Sequence, residues 1–165
     1  MKKFHLLLAT WFGLGLSPKA PGTMGSIGTL PFIWLLSYGL ANIPALHIGN
    51  VVCNILFLIS ILVFFLAIPS VNFIIRDRQC EDPQLVVIDE VAGQTLAFAF
   101  IPLASIHEHF WILPAGLALF RIFDIKKPFG IHRLESLPRA WGVMADDMLG
   151  GLYAGIVLAI IAHFV

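Results

Sequence analysis

The chain has 165 residues, of which 59% are hydrophobic and 12% charged, against roughly 45–50% and about 25% in ordinary soluble domains. With a mean hydropathy of +0.91 it is too apolar for a water-soluble domain and long enough to cross a bilayer several times as one domain, residues 1–165. Its formal net charge of zero and the lack of a basic run exclude electrostatic capture of nucleic acid.

Met1-Lys2-Lys3 followed by the apolar stretch Phe4 to Leu16 imitates a secretory signal. Ser17-Pro18-Lys19-Ala20 offers no clean small-x-small cleavage site, so the segment reads as a retained amphipathic or re-entrant piece. Next comes a loop rich in Gly, Pro and hydroxyls, Leu16 to Gly28. Backbone N–H groups there, and a helix N-terminus beyond, would favour an anion. It lacks the Gly-Lys-Ser/Thr ending of a Walker loop.

Five hydrophobic stretches follow, at about Ile27 to Leu40, Ile48 to Ile68, Leu85 to Leu103, Phe110 to Phe123, and Met148 to Phe164. The first and fourth are short against the roughly 17–25 residues that a spanning helix needs. Pro31 fits the first turn of the first helix, and Pro114 stands near the start of the fourth. The expected fold is all-α: a polytopic membrane helical bundle of about five hydrophobic helices plus the N-terminal amphipathic segment. Cys53, inside an apolar run, reads as a small buried hydrophobe, and with Cys80 it suggests no disulfide framework or zinc site.

The connections set the sidedness. Lys2, Lys3 and Lys19 precede the first stretch, and Arg76 and Arg78 lie between the second and third. Arg121, Lys126, Lys127, Arg133 and Arg139 lie between the fourth and fifth or at the end of the fourth. Ala41 to His47 and Ala104 to His109 carry no lysine or arginine. All basic residues thus fall on one side of a five-span arrangement, which the positive-inside rule makes the cytoplasm. His107-Glu108-His109 falls on the other side and reads as a solvated loop, because residues two apart do not share a helix face.

Nearly all the acids share the cytoplasmic side. Asp89 and Glu90 lie near the start of the third stretch, with Asp82-Pro83 as its expected N-cap and first helical residue. Ionisable groups inside an apolar span are costly and point to function, although the helix dipole and access to water would also accommodate them. Asp146 and Asp147 repeat the arrangement before the fifth stretch, where a double-acid N-terminal cap is the bland reading. Neighbours on a helix point about 100° apart, so both cannot chelate one ion from a rigid face. Gly150 and Gly151 follow and would allow close approach. Arg121, Asp124 and Lys127 are spaced i, i+3, i+6, either as a surface ion-pair staple or as two phosphate ligands and a further carboxylate.

Carboxylates with waters and phosphate oxygens are the usual Mg²⁺ ligands, and a site so built suits in-line phosphoryl displacement. Competing phosphatase chemistries lack their parts: Val86 stands six residues after Cys80, and Asp124-Ile125-Lys126 is not a paired-aspartate motif.

Four segments together resemble the phosphatidylglycerophosphatase A family. They are Ser17-Pro18-Lys19-Ala20-Pro21-Gly22-Thr23, Asp89-Glu90-Val91-Ala92-Gly93, Phe120 to Pro128, and Gly142 to Gly151. Each is weak alone, but they occur in the family's order across nearly the whole chain. The resemblance implies an all-helical, magnesium-dependent phosphatase of the bacterial inner membrane that makes phosphatidylglycerol from phosphatidylglycerophosphate. Phe129-Gly130 and Pro138 to Trp141 depart from the family pattern in an expected surface loop and bear on substrate fit.

The expected roles follow. Asp89, Glu90, Asp146 and Asp147 hold Mg²⁺, with Asp124, Asp147 and Glu90 as the catalytic acids. Lys127, Arg121, Lys19 and Thr23 bind the phosphate, while Gly22, Gly93 and Gly150 permit close approach. The partners are the phospholipid substrate and the bilayer; a homo-oligomer stays open. The rival reading is a cation-coupled membrane transporter with a cytoplasmic-side carboxylate ion site, which predicts acids near the midplane. A structural membrane subunit is a third, and it predicts that the acids tolerate replacement.

Overall fold

The computed structural model describes residues 2–41 and 51–164, and among them every regular element is helical. In chain order these are α1 (Lys2–Ala9), a 3-10 turn (Leu14–Leu16), α2 (Pro21–Ala41), α3 (Val51–Arg78), α4 (Ile88–Phe98), α5 (Leu103–Glu108), α6 (Ile112–Lys126), α7 (Ile131–Leu134) and α8 (Ala140–Phe164). The connection expected at 41–47, from residue 42 on, lies outside the described residues. So do the first three residues of the second stretch and the side chain of Cys53.

The N-terminal segment packs as an amphipathic helix. Lys2 Nζ pairs with Asp77 at 2.8 Å, His5 Nδ1 meets Ser70 Oγ at 3.0 Å, and the His5 ring stacks on Phe73. Ala9 is buried at its end. The polar face of α1 is thus spent on the C-terminal half of α3.

Two helices, α3 over Ile55–Arg78 and α8, are long and apolar enough to cross a bilayer. Outward-facing Leu58, Leu62, Phe65, Leu66, Ile156 and Ile160 are all substantially exposed on them. Among the described residues these two alone meet the length and apolarity of a spanning helix, against the five hydrophobic helices expected. The stretch Leu85 to Leu103 is broken at Pro102 and yields an 11-residue α4, roughly 16 Å long at 1.5 Å per residue and half of what a bilayer core requires. Ten of its residues are buried, so its apolar character belongs to a protein interior. It packs against α8, α3, α2 and α6. The 15 residues of α6 likewise fall short. In α2, glycines and hydroxyls dilute the apolar run, and the helix starts at Pro21, placing Pro31 mid-helix. Pro114 does lie in the first turn of α6.

Hydroxyls inside the bundle find carbonyls. Ser26 and Thr29 donate to Gly22 and Gly25 one turn back, and Ser60 of α3 donates to the Ala92 carbonyl of α4 at 2.8 Å. One apolar cluster, including Val71, Ile74, Ile88, Val91 and Met144, joins α1, α3, α4 and α8. A second, with Ile33, Leu56, Phe98, Ile112 and Leu158, fills the other end. There His107, read above as part of a solvated loop, sits in the last turn of α5. Its Nε2 lies 2.6 Å from Ser37 Oγ, and its ring lies against Trp34 and Tyr38. Its two neighbours, Glu108 and His109, are exposed.

Candidate active site

The first turn of α4 is anchored from outside the helix, because Val87 N–H donates to the Ala9 carbonyl that ends α1. Val87 is itself the N-cap, so Asp82 and Pro83 lie upstream of the helix and do not cap it. Asp89 and Glu90 therefore stand in the first turn, at the positive end of the helix dipole. The acids of α8 are placed differently from expectation. That helix begins at Ala140, so Asp146 and Asp147 lie about two turns inside and the terminal-cap reading does not apply.

Close approach of α4 and α8 brings the acids together. A Cβ on Gly93 would stand 2.5 Å from the Asp147 carbonyl oxygen and 2.7 Å from Phe120, and one on Gly151 would strike the Gly93 carbonyl. Gly150, expected to be the close contact, meets the Asp124 backbone only at ordinary distance, 3.7 Å. The crossing places one carboxylate oxygen each of Asp89, Glu90 and Asp147 within 4.8 Å of one another. Asp89 and Asp147 are buried, and Glu90 Oε2 is buried with no hydrogen-bond partner. Asp146, one position earlier on α8, lines the same cavity and binds Lys127.

The cations arrive from the end of α6. Arg121 Nη1 lies 2.5 Å from Asp124 Oδ2 and 3.5 Å from Glu90 Oε1. Its Nε is buried without a partner. Lys127 leaves the helix in the left-handed region, φ 44°, which swings its chain away from Asp124. Its Nζ meets Asp146 Oδ2 and Glu135 Oε1, each at 2.5 Å, and Glu135 also pairs with His132. Burial alone would lower the Lys127 ammonium, but the hydrogen bonds to Asp146 and Glu135 outweigh it and hold it above the usual lysine range. The same bond from Lys127 draws Glu135 below the ordinary glutamate range. Behind this turn, Tyr153 packs on Phe123 and Phe129 and donates to the Phe129 carbonyl at 3.2 Å.

The acids with Arg121 and Lys127, though not the aromatic group around Tyr153, line one cavity of about 850 Å³. Pro21, Gly22 and Thr23, the first turn of α2, form its opposite wall; Gly22 packs directly against the Glu90 carboxylate. Lys19 is exposed and does not line the cavity. Pro138 and Arg139 do line it, while Ala140 and Trp141 open α8, so the departures there touch the site. Among the lining side chains, Glu81, Asp82, Asp89, Glu90, Asp124, Glu135, Asp146 and Asp147 stand against Arg121, Lys127 and Arg139. That excess of acid repels a phosphate unless cations are added, and hard oxygen donors are the set that Mg²⁺ takes. The Asp89–Glu90–Asp147 trio, with one buried oxygen unpartnered, has the donor chemistry of such an ion.

Sequence reasoning missed Glu135, Gly25 and Gln94. Glu135 reaches Lys127 across a loop and gives no spacing signal. Gly25 packs against Val87 and Glu90 Oε2. Gln94 falls four residues after Glu90 in an apolar run, a spacing that could have marked it.

A family model described as phosphatidylglycerophosphatase A matches residues 7–162. The chain is 37% identical over 160 residues to a Bacteroides thetaiotaomicron protein provisionally named phosphatidylinositol-3-phosphatase, covering 94% of this chain and 91% of that one. It is 37% identical over 171 residues to phosphatidylglycerophosphatase A of Haemophilus influenzae, covering 99% and 95%. With phosphatidylglycerophosphatase A of Escherichia coli (strain K12) it shares 29% over 164 residues, 95% and 83% of the two chains. No solved structure matches significantly.

Proposed function

The chain belongs to the phosphatidylglycerophosphatase A family, and from that premise we propose that it is a magnesium-dependent membrane phosphatase that converts phosphatidylglycerophosphate to phosphatidylglycerol and phosphate. The observation that carries this reading is the meeting of three carboxylates from α4 and α8 beside Arg121 in one cavity.

Asp89, Glu90 and Asp147 would hold Mg²⁺, which supplies neutralisation of phosphate oxygens and a water of lowered pKa. The chain's own groups do the rest. Arg121 bridges Glu90 and Asp124 through Nη1 and presents its guanidinium at the cavity wall, where it would bind a phosphate oxygen. The N–H groups of Gly22 and Thr23 open α2 toward the cavity and favour the same anion. Asp124 completes the carboxylate set or takes the proton of the attacking water. Water oxygen bonds to phosphorus as the ester P–O bond breaks, and the proton lost by the attacking water is returned to the departing glycerol oxygen. Lys127 holds Asp146 and Glu135 in place and closes the far wall. The positive-inside distribution supports a cavity facing the cytoplasm of a bacterial inner membrane, with the lipid's acyl chains against the apolar flanks.

The Bacteroides relative's name favours a second head group, a phosphorylated inositol lipid. Cation transport is not favoured, since the cavity acids gather at one end of α4 and the relatives carry phosphatase names.

Phosphate release from phosphatidylglycerophosphate and from phosphatidylinositol 3-phosphate in detergent micelles, with Mg²⁺ and with EDTA, tests the proposal. Release that requires the metal and favours the glycerophosphate lipid is expected. Preference for the inositol lipid would move the substrate assignment, and no release from either by folded protein would sink it.

A further inference from the structure

Buried uncharged side chains in this bundle are bonded almost without exception. Thr10, Ser26, Thr29, Ser37, Ser60 and Thr95 each donate to a carbonyl, and Ser70 meets His5. Gln94 alone among the described residues breaks the pattern. It is 0% exposed, and neither Nε2 nor Oε1 has a partner. An amide left so is costly, and a leucine of similar shape would pack there without that cost.

Its neighbour in helical spacing has the complementary need. Glu90 lies one turn earlier on the same face of α4, at i−4, close enough for side chains to meet. Arg121 reaches Glu90 Oε1 at 3.5 Å from the cavity side, while Oε2, turned toward Gly25 of α2, is buried and unpartnered. We propose that Gln94 is a positioning residue: its Nε2–H reaches Glu90 Oε2 through one water and fixes the carboxylate from the buried side. Held at both oxygens, Glu90 keeps one orientation through turnover; held only by Arg121, it swings. The inference rests on the phosphatase reading and deepens it.

The test uses the full-length protein in detergent, with Gln94→Leu and, in parallel, the near-isosteric Gln94→Met. Expected are an unchanged or raised Tm, a KM within about twofold, and kcat lower by about 10–100-fold, the usual cost of losing a supporting contact. In a Glu90→Gln background the same change should cost less than about twofold more, because coupled partners are not additive. Wild-type kcat in the Leu and Met variants, additive losses in the double variant, a raised KM alone, or activity lost only in step with Tm would each overturn the assignment. Wild-type protein that releases no phosphate would instead fell the phosphatase reading, and this role with it.

Discussion

Asp147 and Asp146 are neighbours in sequence but have different partners in the fold. One residue apart on α8, the two side chains diverge: Asp147 joins Asp89 and Glu90, while Asp146 binds Lys127. Asp147→Asn should lower kcat by roughly 10²–10⁴-fold, the range for removing a group that handles protons or charge in the transition state. Protein yield and far-UV circular dichroism should not change; near-wild-type turnover would exclude the trio as the site. Lys127 belongs to a different class of residue. Its left-handed backbone, uncommon for an L side chain, is what aims it at Asp146 and Glu135. The pH dependence of that tie follows from its two shifts. Glu135 is lowered in the fold, so its contribution is full above the ordinary glutamate value of 4.5 and fades as pH falls through its lowered folded value. Lys127 is raised, so its contribution is full below the ordinary 10.5 and fades only as pH climbs through the higher folded value. The Tm gap between wild type and Glu135→Gln should hold across neutral pH and close in acid. A gap that does not narrow as pH falls below the ordinary glutamate value, down to the most acid pH at which the protein stays folded, would mean that the carboxylate is not what Lys127 needs.

At the scale of elements, the decisive contact is the crossing of α4 and α8. Gly93→Ala should destabilise by about 1–3 kcal/mol, as overpacking does, because the new methyl meets the Asp147 backbone and the Phe120 ring at 2.5–2.7 Å. Gly151→Ala should act alike. Gly150→Ala is the internal control, since 3.7 Å leaves room and alanine favours a helix by up to about 1 kcal/mol over glycine. Thermal melts in detergent separate these cases, and a destabilised Gly150→Ala would mean that the crossing is tighter than described. The same crossing shows what the sequence could reveal. The acids of the two apolar segments, the basic exit of α6 and the glycine loop before α2 could all be matched to one end of the bundle from charge placement. Element lengths could not. A run such as Leu85 to Leu103 reads the same whether lipid or protein covers it, and only packing shows that α4 is walled in by four helices. Nor could spacing place Glu135 beside Lys127, because the turn between them depends on three left-handed residues, Lys127, Phe129 and Gly130. Asp82-Pro83 misled for a related reason: a good local cap signal lost to the tie between Val87 and Ala9.

For the whole molecule, the distribution of charge and apolar surface gives a test of sidedness. Cys80 is exposed and lies beside Glu81 and Asp82 at the cavity rim. In a Cys53→Ser variant, a membrane-impermeant maleimide should label Cys80 in inverted membrane vesicles and spare it in intact spheroplasts. The opposite pattern would put the cavity outside the cytoplasm. The short central helix has a further consequence, for how the protein is made. Insertion machinery sorts segments by apolar length, and 11 residues fall well below the roughly 17–25 that lipid accepts as a spanning helix. By length alone α4 would not enter a bilayer by itself. It packs among four helices, the most extensive neighbour being α8, which is synthesised after it. Asp89 and Glu90 stand on the earlier helix and Asp147 on the later one, so the carboxylate trio is complete only after α8 has been made.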